Sequence, residues 1–222
     1  MEGWVLSAPR LRMARLKLAN RLLDRTEAFS GVALPYPKEL ESILNLYAKG
    51  TVSFQRVVEV VRDVFRGHAS GWLWVEKPLL LVLPQLGARV ECYLRTAGEL
   101  LSHYSELLAL TLRTRITGKI KLDEWRMFST RAEVTPRKGW ITIVNGMPRS
   151  THAVDVWKLP YPPPETLDAR TITDEAVKEY VDYVFNYIVQ SRNLDEAYLK
   201  WLEERKNIRV HTLWKLLRLI SE

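Results

Sequence analysis

The chain has 222 residues, 47% of them hydrophobic and 27% charged, with a formal net charge of +7. That is enough apolar side chain to bury one large core or two small ones, so a folded chain and not disorder is the expectation. A single cysteine, Cys92, excludes an intramolecular disulfide and an all-cysteine metal site, and predicts a reducing, intracellular setting.

The N-terminus M-E-G-W-V-L-S-A-P-R lacks the central apolar region of a signal peptide, and the strongest apolar run, Leu79 to Leu83, is far short of a membrane span. The expectation is an unexported protein with no membrane partner, cytoplasmic or packaged in a virion. Arginine outnumbers lysine 21 to 12, and glutamine and asparagine are few, the bias of a protein that works at high temperature.

In chain order, Arg10 to Phe29 has apolar residues at Leu11, Ala14, Leu18 and Leu22 with cations between them, the spacing of an amphipathic helix with Pro9 in its first turn. Gly31, Pro35 and Pro37 break the pattern. Pro37 to Lys49 resumes it, ended by Gly50, and a third helix runs from a cap at Ser53 to Arg66. Trp72 to Leu83 is rich in β-formers and split by Glu76-Lys77-Pro78, which predicts a short hairpin. Helix, turn, helix, hairpin is the order of a winged-helix-like unit over 37–83.

Gly87 to Thr114 reads as the longest helix. From Phe128 the period changes to two, through S-T-R-A-E-V-T-P, W-I-T-I-V-N-G and T-H-A-V-D-V-W-K-L-P, which predicts three antiparallel strands. The prolines of Tyr161 to Pro164 predict a linker. Helices follow from a cap at Thr173 to about Gln190, over Leu194 to Lys206, and over Val210 to Ile220. The predicted class is α+β and predominantly helical: a helical N-terminal part with a short hairpin, a small antiparallel β-meander, and a helical C-terminal third. The predicted domains are 1–160 and 165–222.

Charge supplies the strongest functional signal. Between Arg113 and Arg149 lie nine cations against three acids, whereas Thr151 to Lys206 holds seven cations against eleven acids. A basic segment interleaved with aromatic residues suits a polyanion, cations tracking phosphates and rings stacking on bases. The candidate nucleic-acid-binding residues are Arg113, Arg115, Lys119, Lys121, Arg126, Arg131, Arg137, Lys138, Arg149 and Trp140, joined by Arg12, Arg15 and Arg21 of the first helix. Expected binding is non-enzymatic and directed at the backbone of DNA or RNA, with possible coating as a multimer. The apolar final helix suggests a homo-oligomer or larger assembly through the C-terminal helices, and the first alternative function is a structural or adaptor subunit.

Catalytic motifs do not emerge. The four histidines have no partner at ligand spacing, and phosphate-cradling glycine loops and the G-x-S-x-G elbow are missing from the sequence. No cofactor or metal is expected. A metal-dependent nuclease, or a degenerate nuclease-like fold, is the second alternative, resting on Glu133, Asp155 and Lys158.

Overall fold

A five-stranded, all-parallel sheet forms the centre of the first of two compact units. The computed structural model describes residues 3–24, 29–129, 134–147 and 153–221. The first unit comprises residues 1–102 and 133–158, the second 103–132 and 159–222.

The first strand, β1 (Trp4–Ala8), leads into helix α1 (Arg12–Leu23) and then β2 (Gly31–Pro37). Three helices follow, α2 (Glu41–Ala48), α3 (Phe54–Phe65) and α4 (Ala69–Leu86), before β3 (Arg89–Leu94) and the 21-residue α5 (Ala97–Thr117). Helix α6 (Leu122–Ser129), β4 (Trp140–Asn145) and the short β5 (Ala153–Asp155) complete the middle of the chain. The strand order is β3-β2-β4-β1-β5, with every neighbouring pair parallel.

The expected antiparallel meander is therefore corrected. Trp140–Asn145 is a strand, but its neighbours are β1 and β2, from the first forty residues, and not segments adjacent in sequence. The stretch expected as the first meander strand is irregular from Val134 onward, its residues 130–133 lying outside those described. Parallel strands need long crossovers, and the helices supply them. The connections from β1 to β2 and from β2 to β3 step the same way across the sheet, and α1 packs on α4.

Strands β1 and β2 lie in the interior, and β2 is buried at all seven positions. Such strands show no alternation, which is why W-V-L-S-A and G-V-A-L-P-Y-P do not announce themselves. Pro35 sits where the β2–β3 register shifts between Leu34 and Pro37, the irregularity that admits a proline into an inner strand.

Two further expectations are overturned. The proposed hairpin is helix α4, which buries Trp72, Glu76, Leu79 and Leu83 at helical spacing despite Pro78 and Pro84. Trp72 stacks on Phe65 and meets Tyr36 edge to face, each at 5.0 Å between ring centroids, and this burial outweighs the local β-propensity. No wing follows α2 and α3, so the winged-helix-like unit is absent. The long helix expected from Gly87 is split: Gly87 caps α4 in the left-handed region, and β3 occupies the next stretch before α5 begins.

The C-terminal third is helical. The expected linker at Tyr161 to Pro164 contains the start of a one-turn helix, α7 (Pro163–Thr166), with Pro163 in the first turn. Helix α8 (Asp174–Tyr183) is capped by Thr173 and continues as a π-helical turn over Val184–Ile188. Asn193 caps α9 (Leu194–Lys206), and α10 (His211–Ser221) closes the chain. The core of this second unit is built from Leu110, Trp125, Leu167, Ile172, Val177, Tyr180, Val181 and Val184. On α10, Leu217 is buried and Trp214 donates to Glu203, while Leu219 stays exposed.

Cys92 lies in β3 with no solvent exposure. Burial, reinforced by the Glu41 charge, pushes its thiol up to about 12. An acid whose folded value is raised contributes stability that is fully present below its ordinary value of 9.0 and is lost as pH rises from there toward about 12. The native protein is expected to resist a thiol-specific disulfide reagent at neutral pH and to react only when denaturant is added. Rapid reaction of the native thiol would contradict this burial.

Candidate nucleic-acid interface

The basic segment divides between the two units. In the second, α5 ends at Gly118, whose φ of +66 and N–H donated to the Thr114 carbonyl form a left-handed C-terminal cap. A short link then reverses the chain into α6, whose first turn begins with the Glu124 and Trp125 amides donating to the Lys121 carbonyl. Trp125 is fully buried against Tyr180, at 5.4 Å between centroids, and anchors α6 to the core. The cations are left outside.

Arg113 of α5 and Lys121 both pair with Glu124, the latter at 3.2 Å, so the reversal gathers residues eight positions apart around one carboxylate. Arg126 pairs with Asp123 at 2.7 Å, and Lys119 is exposed in the link. Arg113, Lys121 and Arg126 are thus held on two neighbouring carboxylates, Asp123 and Glu124, with Lys119 two residues before Lys121 in the chain. The ion pairs are solvent-exposed, and such pairs are worth about 0–1 kcal/mol, so an incoming phosphate can displace them.

A second group lies elsewhere on α5. Arg115 pairs with Asp182 of α8 at 3.4 Å, and Arg205 of α9 shares that carboxylate at 3.7 Å. Lys206 pairs with Glu179 at 3.0 Å, one turn before Asp182. Arg205 and Lys206 were missed in the sequence because they lie in the acidic third. Their only linear signal is that they close the last turn of a helix, where cations offset the dipole. Two residues of helix turn through about 200°, so Arg113 and Arg115 point to opposite flanks of α5 and the two groups are separate.

In the first unit the candidates are arranged differently. Arg15 is fully enclosed: its Nε donates to Glu76 Oε2 at 2.6 Å, its Nη2 to Glu76 Oε1 at 3.2 Å, and Nη2 also to Asn145 Oδ1. Arg10 Nε reaches Glu76 Oε1 at 3.3 Å, and the Tyr36 hydroxyl donates to Oε2 at 2.9 Å. Burial pushes the Glu76 carboxyl up, but the Arg15 and Arg10 charges and the donated hydrogen bonds outweigh it and hold the group below the ordinary range. This network ties α1, α4, β2 and β4 together. Arg12 lies over Trp74, 5.2 Å from the ring centroid, and Arg21 is exposed.

Trp140 is not an open stacking platform. A Cβ on Gly31 would lie 2.5 Å from its ring, so glycine is required there, and Arg137 covers the ring with its guanidinium 3.3 Å from the centroid. Arg137 also pairs with Glu91 at 2.8 Å, while Lys138 is exposed beside it. Arg131 and Arg149 lie outside the described residues, as does Glu133. Asp155 accepts the Trp157 amide at 2.9 Å and the Lys158 amide at 3.2 Å, holding the turn after β5.

Among the described residues no cluster of three metal-ligating side chains occurs, and no helix is long and apolar enough to cross a membrane. No family model, curated protein or solved structure matches the chain.

Proposed function

We propose that the protein binds nucleic acid through the phosphate backbone, at the group formed by Arg113, Lys119, Lys121 and Arg126. The observation that carries the reading is the folding of α6 back on α5, which sets three exposed cations on two neighbouring carboxylates, with Lys119 exposed in the link between the helices. Contacts of this kind read charge spacing and not base sequence. Arg137 and Lys138 are further exposed cations of the first unit, and Trp140, already covered by Arg137, adds no base stacking.

A titration of random-sequence DNA and RNA against salt tests the proposal. Four neutralised phosphates predict a slope of about −3.6 for log K against log salt on a duplex, and about −2.8 on a single strand. Affinity should therefore fall by roughly two orders of magnitude between about 50 and 200 mM salt. A protein that ignores both polymers at low salt does not bind in this way, and its charge would then serve protein docking.

A further inference from the structure

A cleft of about 750 Å³ opens in the first unit where the ends of α2 and α4 meet the start of β3. Ala48, Pro84 and Ala88 give it an apolar wall, and Lys49 and Arg89 are the charged residues that line it. Neither cation forms an ion pair with a described residue, and among the described residues no carboxylate lines the cleft. Glu41, the one acid of α2, is engaged by Lys38 and by the Cys92 N–H. The volume lies within the range of small-molecule sites, and the nucleic-acid reading makes no use of it.

The backbone adds a donor. Helix α4 ends in Leu86 followed by Gly87 in the left-handed region at φ +58 and ψ +16, a right-handed then left-handed turn whose successive N–H groups form an anion-binding concavity. The same turn at the end of α2 spends its N–H groups on the helix itself: Lys49 donates to the Asn45 carbonyl, Gly50 to that of Tyr47 and Thr51 to that of Leu46. Those bonds occupy the α2 carbonyls that would otherwise repel an anion. At α4 the Ala88 N–H, the counterpart of the Thr51 N–H, donates to no described residue although Ala88 is buried. Buried N–H groups in native proteins are paired, so this one is a donor to an oxygen from outside the chain.

We infer that this cleft binds a phosphomonoester, its phosphoryl group held by Lys49, Arg89 and the Ala88 N–H and its organic body lying against Ala48 and Pro84. Charge selects the class. A phosphomonoester carries close to two negative charges at neutral pH, matched by two cations, whereas a phosphodiester or a carboxylate carries one. The guanidinium offers paired donors to two phosphate oxygens, and the ammonium a point charge to the third. The group can belong to a free metabolite or to the phosphorylated end of a nucleic-acid strand; an interior backbone phosphate, a diester, does not match.

Isothermal titration of the full chain with phenyl phosphate should show a single site with a dissociation constant of about 0.1–1 mM, and phenol and methyl phenyl phosphate should bind at least tenfold more weakly. Affinity for phenyl phosphate should fall about tenfold from about pH 7.5 to about pH 5, because the monoester takes up a proton near pH 6. These ligand comparisons need no variant. Lys49→Glu and Arg89→Glu are each expected to weaken binding at least tenfold, and because both residues are exposed the circular dichroism spectrum should not change. Competition by an oligonucleotide with a 5′-phosphate, and not by the same strand without it, assigns the group to a strand end; no competition by either assigns it to a free metabolite, and both results support the site. Absence of binding up to about 10 mM, equal affinity for monoester and diester, equal competition by the two strands, or binding indifferent to both charge reversals overturns the inference.

Discussion

Replacing Glu76 by alanine is expected to destabilise the first unit by about 3–5 kcal/mol, the cost of removing one partner from a buried ion pair. The carboxylate receives four hydrogen bonds, two from Arg15 and one each from Arg10 and Tyr36. Its loss leaves the Arg15 guanidinium enclosed without the anion that balances it. Chemical denaturation followed by the tryptophans should report the loss, and a change below about 1 kcal/mol would show that water reaches the site.

Joint replacement by Arg15→Met and Glu76→Leu should cost less than either single change, because no buried charge then remains. The pH dependence has a definite sign. A carboxyl held below its ordinary value of 4.5 stabilises the fold above that pH, and the contribution disappears as pH falls through the folded value. Glu76→Gln should therefore flatten the acid limb of the stability profile.

Reversing Lys119, Lys121 and Arg126 together to glutamate is expected to reduce nucleic-acid affinity at least a hundredfold at low salt and to lower the salt slope by about three, roughly one for each lost phosphate contact. All three side chains are exposed, and the ion pairs they leave are weak surface pairs. The fold should tolerate the change, and an unchanged circular dichroism spectrum would confirm it. An unaltered slope would place the contacts elsewhere, with Arg115, Arg205 and Lys206 the next group to reverse.

Parts of this arrangement were legible from local chemistry. The caps at Ser53 and Thr173 each accept an amide hydrogen bond from three residues on, as an N-terminal cap does anywhere. The expected segment Leu194 to Lys206 coincides with α9 because strong helix formers and a buried stripe agree there. The hairpin reading of Trp72 to Leu83 failed because aromatic and β-branched residues were weighed singly. The spacing of Trp72, Glu76, Leu79 and Leu83 already described one face of a helix.

The amino-acid sequence by itself determined the excess of positive charge, its concentration between Arg113 and Arg149, and the helices whose caps and apolar stripes lie within a dozen residues. Those properties depend on neighbours along the chain. Tertiary structure alone decided that Trp140–Asn145 lies between β1 and β2, that Arg15 is a buried partner of Glu76 while Arg113 stays on the surface, and that Arg205 joins Arg115 on Asp182. The physical reason is distance in sequence: a parallel sheet joins strands through long crossovers, and an arginine is enclosed or exposed according to a carboxylate that can lie sixty residues away.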